Sequence, residues 1–418
     1  MSDRMSTYWI FNRPVADMNR VQTQLNYTQE QISTGKRLLS PSDDPVGAAR
    51  MLQLDQEINL MDQYQENISM VRTRLEQEEG ILQGVTDSIH RIRELTVQAG
   101  NAGTLSTTER QAIGIEVNVR IEELLDLFNS QDGGGEFLFS GFSGHTKPFE
   151  IGPGGGMSFN GDEGQRNVQI SRTNYVPSSD SGKDIFMDVK AHNVSFFTSG
   201  SPQNRSEPPA VISAGITTDQ DALDAFFPHD AVITFENPLD VTPPQDNYTV
   251  RRKSDGRVVE GLANVLFNPG APIDFGGMNV QVYGKPEPGD KFVIETSEKQ
   301  SVLATFSKLE YALNEVSDDA SMAEVYDNFI YDTLKNLDFA VDNISQTRAR
   351  IGARLNTVDT TEGMHMDNAL AAKEIRAEIR DLDFAEAVSR MEMQSFVLQA
   401  SQQSFAKVTQ LSLFNYIS

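Results

Sequence analysis

Apolar residues recur at alternating four- and three-residue steps at both ends of the chain. At the C-terminal end Phe384, Val388, Met391, Leu398 and Phe405 follow this seam, with Ser395 and Gln402 in the intervening places. Phe11, Val15, Met18, Leu25 and Ile32 repeat it near the start, with Gln22 and Gln29 between them. That spacing predicts an amphipathic helix at each terminus. Their polar faces are unusual: from Met393 onward Lys407 is the only charged residue, and between Asn19 and Ser33 only Arg20 and Glu30 are charged. Solvated helices carry interspersed Lys and Glu, so these two are expected to be covered by protein, first of all by each other.

Asp44 followed by Pro45 has the form of an N-cap with proline at the first helical position. The register Leu54, Met61, Ile68, Leu75, Leu82, Ile89, interleaved with Tyr64, Val71, Val85 and Ile92, then continues to about Ala99. It predicts a rod of roughly 70 Å at ~1.5 Å per residue. After Gly100 and Gly103, the run Leu105 to Glu109 offers a cap for a further helix carrying Ile113, Val117, Leu124 and Leu127. A second rod is expected from Ile330, Leu334, Leu337, Val341, Ile344, Ile351, Leu355 and Val358, interrupted by Arg348 and again around Thr361 to Gly363. Between the rods, Glu136 to about Thr296 is rich in Gly, Pro, Asn and Asp, with short runs such as NVQIS, AVITFE, RVVEG, MNVQVYG and KFVIET. Tyr248 to Gly261 reads as a hairpin around Ser254-Asp255-Gly256.

The expected fold is therefore an α+β multidomain protein with a nested, discontinuous architecture. Residues 1–45 with 376–418 form a terminal coiled-coil assembly domain, 46–150 with 300–375 a helical-bundle rod, and 151–299 an inserted, mainly β outer domain.

Composition narrows the function. The 418 residues include 60 acidic and 35 basic side chains, for a formal charge of −25. Such a surface repels phosphate backbones and anionic lipid, which disfavours nucleic-acid or membrane-surface partners. Cysteine is absent, so disulfides, thiolate metal sites and cysteine nucleophiles are excluded together. The first twenty residues hold no apolar core long enough for a secretory signal, and nowhere do eighteen apolar residues run together. The expectation is a cytosolic protein or one exported without a cleaved signal, with no membrane insertion.

No catalytic constellation emerges, and no metal or cofactor is expected. His90, His145, His192, His229 and His365 are scattered without ligand spacing. The Gly-rich pieces GGGEFL and GPGGGM lack the Lys-Ser/Thr of a phosphate loop. Asp43 and Asp44 read as capping the helix that opens at Pro45 rather than as paired catalytic carboxylates, and no GxSxG elbow occurs. What remains is adhesive surface: Phe396, Phe405, Val408, Leu411, Leu413, Phe414, Tyr416 and Ile417 sit on a charge-poor tail, a pattern that marks an interface. The candidate assembly residues are thus Phe11, Val15, Met18, Leu25, Ile32, Phe384, Val388, Met391, Phe396, Leu398, Phe405, Val408, Leu411, Leu413 and Phe414.

Four stretches carry a resemblance: STGKRLLSPSDDPVGAAR from Ser33, RIRELTVQAGNAGTLSTTER from Arg91, GGGEFLFSGFSGHTKPF from Gly133, and the C-terminal LDFAEAVSRMEMQSFVLQASQQSFAKVTQLSLFNYIS. In this order at both termini they resemble the flagellin superfamily of bacterial flagella, and within it the type-three hook-associated family of the hook–filament junction. The resemblance implies a coiled-coil layer, a rod layer and an outward β layer of variable sequence. It also implies terminal segments that fold on joining the structure, export through the flagellar type III apparatus, and a cytosolic export chaperone on the C-terminal helix. The implied neighbours are copies of the chain itself, the first hook-associated protein and flagellin. A flagellin of the filament, a cytosolic coiled-coil scaffold and an enzyme in the β domain stay open as rival readings.

Overall fold

The computed structural model describes residues 7–100, 106–151, 157–315 and 322–417. The chain divides into two compact units, Met1–Glu66 with Thr360–Ser418, and Asn67–Asp359.

The first unit is helical. Helix α1 (Thr7–Thr34) is followed by a turn and by the start of α2 (Pro45–Ala99). Asp44 ends that turn as an N-cap, its Oδ1 accepting from the Gly47 N–H at 2.9 Å. Pro45 occupies the first helical position, where its missing N–H costs no hydrogen bond. Gly35, at φ 68°, supplies the left-handed residue that lets the chain leave α1. Its carbonyl accepts from the Leu382 N–H at 3.0 Å, and the Arg37 N–H donates to the Arg380 carbonyl at 2.7 Å. These two bonds stitch the turn to the one after the long helix that runs Ala323–Arg380. Between those two long helices, Leu54 and Ile58 pack with Ala372 and Ile379, Arg376 pairs with Asp55 at 2.8 Å, and the Tyr64 and His365 rings stack at 5.4 Å.

In the second unit, α2 continues beside α3 (Thr107–Phe128). With 55 residues α2 is about 80 Å long. Ser106 and Glu109 form a capping box at the start of α3. Ile68, Leu75, Leu82, Ile89 and Ile92 of α2 are fully buried with Val117, Leu124 and Phe128 of α3. The same core runs on through Leu138, Phe139, Phe149, Ile185 and Phe186 to Val189, with Phe186 stacked on Phe128 at 3.9 Å. A charged layer fastens this segment to the helices: Arg354 binds Asp180 through two bonds of 2.7 and 2.9 Å, and Arg74 reaches Asp132 at 2.9 Å. Glu78 is buried beside them, and that burial, with the nearby Asp180 charge, pushes its carboxyl well above the usual range.

Strands β1 (Phe149–Ile151) with β2 (Met157–Phe159) and β3 (Asn167–Gln169) with β4 (Tyr175–Pro177) are two short hairpins. There follow β5 (Lys190–Gly200), β6 (Val211–Ile212), β7 (Ile216–Thr217), the short helix α4 (Gln220–Phe226), β8 (Ala231–Phe235), β9 (Asn247–Arg252), β10 (Val265–Leu266), β11 (Pro272–Phe275), β12 (Met278–Tyr283) and β13 (Lys291–Lys299). One antiparallel sheet has the order β10-β9-β8-β13-β5, and another the path β11-β12-β6 with β7 also on β12. Their alternating residues meet in a second core that includes Ile233, Val250, Phe292 and Ile294 from one sheet and Ile273, Met278, Val280 and Val282 from the other. After β13 the chain returns through α5 (Val302–Glu315) to α6 (Ala323–Arg380) and then α7 (Phe384–Ile417).

Three apolar stretches of this unit lie outside the named strands. Phe137 makes an isolated bridge to Gln131 and Leu138 to Phe142 forms turns, because Phe139 is fully buried in the helical core and Gly141, at φ 72°, lies so close to Asp162 that a Cβ would collide with it. Lys183–Met187 is a single π turn, and the RVVEG run makes only the bridge Arg251 to Val258 after the tight turn at Ser254 to Gly256. The interruption expected near Thr361 to Gly363 is also absent, since α6 passes through it unbroken. A lone glycine in a helix costs only ~1 kcal/mol, and without proline nothing there breaks the hydrogen-bond ladder.

Candidate assembly interface

Helices α1 and α7 pair antiparallel. At one end Arg390 donates to Gln31 Oε1 at 3.4 Å; at the other Arg13 and Pro14 line one groove with Ser404, Phe405 and Val408. Asp383 starts α7 by accepting from the Ala385 and Glu386 N–H groups at 2.9 and 3.2 Å, a cap the sequence reading did not single out.

Half of each expected seam lies between the helices. Met18, Leu25 and Ile32 of α1 and Met391 and Phe405 of α7 are half-buried there, and Leu398 is buried at 9 % exposure. The other half of the contact uses residues one position away from the expected ones: Pro14, Val21 and Thr28 on α1, and Ala387, Gln394 and Ser401 on α7. Thr28 and Gln31 are among the most buried residues of α1, and Gln31 is held by its Nε2 donating to the Arg37 carbonyl at 2.5 Å. Their polarity hides them from a search for apolar spacing. The heptad steps 14, 21, 28 and 387, 394, 401 were nonetheless present as a signal.

The displaced seam residues face outward. Val15, Phe384 and Val388 are exposed, together with Phe396 at 69 %, Val397 and Val408. Phe396, Val397, Phe405 and Val408 border a groove of about 660 Å³ against Arg13, Pro14 and Asp17. A second hollow of about 430 Å³ lies between Leu25 and Gln29 and the stretch Met391 to Gln399. Among the described residues, the buried Gln394 Oε1 atom has no hydrogen-bond partner. The side chains of Phe11, Leu411, Leu413 and Phe414 lie outside the described residues. In the turn before Asp44, the Ser40 backbone N–H first, then the Tyr27 hydroxyl, hold the Asp43 carboxyl below its ordinary range. The pair thus offers an apolar stripe bordered by Arg13 and Asp17 at one hollow and by Gln29, Glu392 and Gln399 at the other, chemistry suited to helix-on-helix burial.

Comparison with known proteins agrees. The profile of the bacterial flagellin N-terminal helical region matches residues 5–143, and that of the C-terminal helical region matches 334–417. The chain belongs to the flagellin family. The first match runs from α1 through the turns that follow α3, the second lies on α6 and α7, and strands β1 to β13 lie between them. Flagellar hook-associated protein 3 of Salmonella typhimurium is 23 % identical over 98 % of each chain, and its Escherichia coli counterpart aligns to the same extent. The crystal structure of the flagellar junction protein FlgL from Legionella pneumophila matches at TM-score 0.50 and 27 % identity, covering 79 % of this flagellin-family chain and all of that one. Polar flagellin C of Vibrio parahaemolyticus is 30 % identical, but over 33 % of this chain.

Proposed function

We propose that this chain is a structural, non-enzymatic adapter of the bacterial flagellum, placed at the hook–filament junction. The observation that carries the reading is the outward apolar stripe of the α1–α7 pair, in a chain that aligns end to end with flagellar hook-associated protein 3. Its neighbours would be copies of itself, the first hook-associated protein on the hook side and flagellin on the filament side. The three-part division into residues 1–45 with 376–418, 46–150 with 300–375, and 151–299 is retained as part of this proposal.

The mechanism is coupled folding and assembly. Phe11 to Ile32 and Phe384 to Leu411 order when neighbours bury them, so that association also supplies the free energy of folding the ends. Before that, the same apolar stretch of α7 would be held by a cytosolic export chaperone, and the chain would leave through the flagellar type III apparatus without a cleaved signal peptide. A flagellin that builds the filament itself is the weaker reading, because the flagellin matches span about a third of the chain whereas those to hook-associated protein 3 span 98 %. Family membership of both ends also speaks against a cytosolic scaffold.

Deleting the gene should leave cells with hooks, without filaments, and with unpolymerised flagellin in the medium. Filaments of normal length on the deletion strain would overturn the proposal.

A further inference from the structure

A hollow of about 90 Å³ lies where α5 and α6 meet the start of β5 and the turn into α4. Its rim is exposed at Asn193 and Asn328. Its inner wall is polar yet buried: Ser195, Gln300, Lys308, Thr333 and Asn336 are each no more than 9 % exposed. Among the described residues, no carboxylate lies within ion-pair distance of the Lys308 amine. Asp332, the carboxylate lining the hollow, instead accepts from Asn193 Nδ2 at 3.1 Å and sits 3.9 Å from His192 Nε2. On β13, Glu295 and Lys299 are paired with Lys253 at 2.5 Å and with Asp188 at 2.7 Å.

Lys308 Nζ donates to Ser195 Oγ at 2.7 Å and lies 4.2 Å from the centroid of the Phe196 ring. Ser195 in turn donates to Gln300 Oε1, and Gln300 Nε2 to Thr305 Oγ1 at 2.8 Å. The chain of donors therefore runs away from the amine and brings no negative charge to it. An ammonium has three protons to place, and here they meet one hydroxyl and one ring face. Thr333 lines the same hollow at 2 % exposure, and its hydroxyl makes no hydrogen bond among the described residues. Asn336 has its Oδ1 fixed by the His192 N–H at 2.7 Å, which leaves its amide NH2 as a donor. A buried cation and two neutral donors thus line one small space without protein acceptors to match them.

We propose that this hollow binds a small monovalent anion of the size of chloride, held by the Lys308 ammonium with the Thr333 hydroxyl and the Asn336 amide as further donors. The volume suits one such ion with a water or two and is too small for a substrate-sized molecule. Water alone would satisfy the donors but not the charge, and a buried charge needs an opposite one. The exposed rim gives the ion a path from solvent. Burial lowers the Lys308 amine to about 7, and an anion favours its protonated form, so binding takes up a proton above pH 7 and weakens as the solution becomes alkaline. Asp332 opposes entry only when ionised; burial raises its carboxyl, and His192 offsets its charge when protonated. The assembly role uses none of these residues, and the proposal stands independently of it.

The test is chlorine NMR on sodium chloride solutions of the full-length chain, in which exchange with a bound site broadens the chloride line. At pH 6 the wild type should add a broadening that bromide displaces, and at pH 9 that addition should fall at least about 5-fold. Lys308→Met should lose it. Thr333→Val, which keeps the ammonium, should weaken chloride affinity about 5-fold, the worth of one hydrogen bond. No added broadening at pH 6, or the same broadening in Lys308→Met as in the wild type, would overturn the proposal, the latter by placing the chloride on exposed basic side chains.

Discussion

At the scale of single residues, Lys308 is the most informative side chain. Its unfolded pKa is near 10.5 and burial brings it to about 7, so folding releases a proton between those values. A base depressed in this way lowers stability by its full amount below pH 7, and the penalty shrinks as pH rises towards 10.5. Lys308→Met should therefore stabilise the protein at pH 7, by about 2–4 kcal/mol once the lost Ser195 bond and ring contact are set against the relief of burying the amine. Urea denaturation at pH 7 and pH 10 checks the sign: the gain over the wild type should be clearly smaller at pH 10. An equal gain at both would show that the amine is not depressed. Glu78 follows the opposite rule, since a buried acid raised above its ordinary pKa contributes least when alkali ionises it.

Among elements, the α1–α7 pair matters most. Two heptad lines run side by side on each helix, and the residues shared by both, 18, 25, 32 on α1 and 391, 398, 405 on α7, were legible from spacing alone. Which adjacent line completes the contact was not legible, because Val15 and Val388 are more apolar than the Pro14, Thr28, Gln394 and Ser401 that take the inner places. Val15, Val388 and Phe396 are left exposed, which the proposed assembly requires of residues that meet neighbours. Phe396→Asp should change the stability of the isolated protein by less than about 0.5 kcal/mol, since the side chain is 69 % exposed, yet abolish filament attachment in cells. Normal attachment with the variant would remove Phe396 from the interface.

For the whole molecule, the two cores explain what can be removed. The helical core and the sheet core draw their residues from between Ile68 and Val358, inside the unit Asn67–Asp359. Among the described residues, the terminal unit has the small cluster of Leu54, Ile58 and Ala372 in addition to the α1–α7 seam. Limited proteolysis of the free chain should thus trim the ends first and leave a fragment close to residues 67–359. That fragment should retain a cooperative thermal transition by circular dichroism. Ends that resist protease as well as the centre does would contradict folding on assembly.

The sequence by itself determined the order of long helices, the caps at Asp44 and Ser106, the inserted stretch of strands and the amphipathic helix at each terminus. These depend on local periodicity and on polar groups within a few residues of the backbone they satisfy, so they are written in neighbouring positions. Tertiary structure alone decided which side of each terminal helix turns inward, that Phe186 joins the helical core instead of a sheet, and that Lys308 is buried beside Ser195 with no carboxylate paired to it among the described residues. Each of those depends on contacts between segments tens to hundreds of residues apart, where burial overrides the local preference of a side chain.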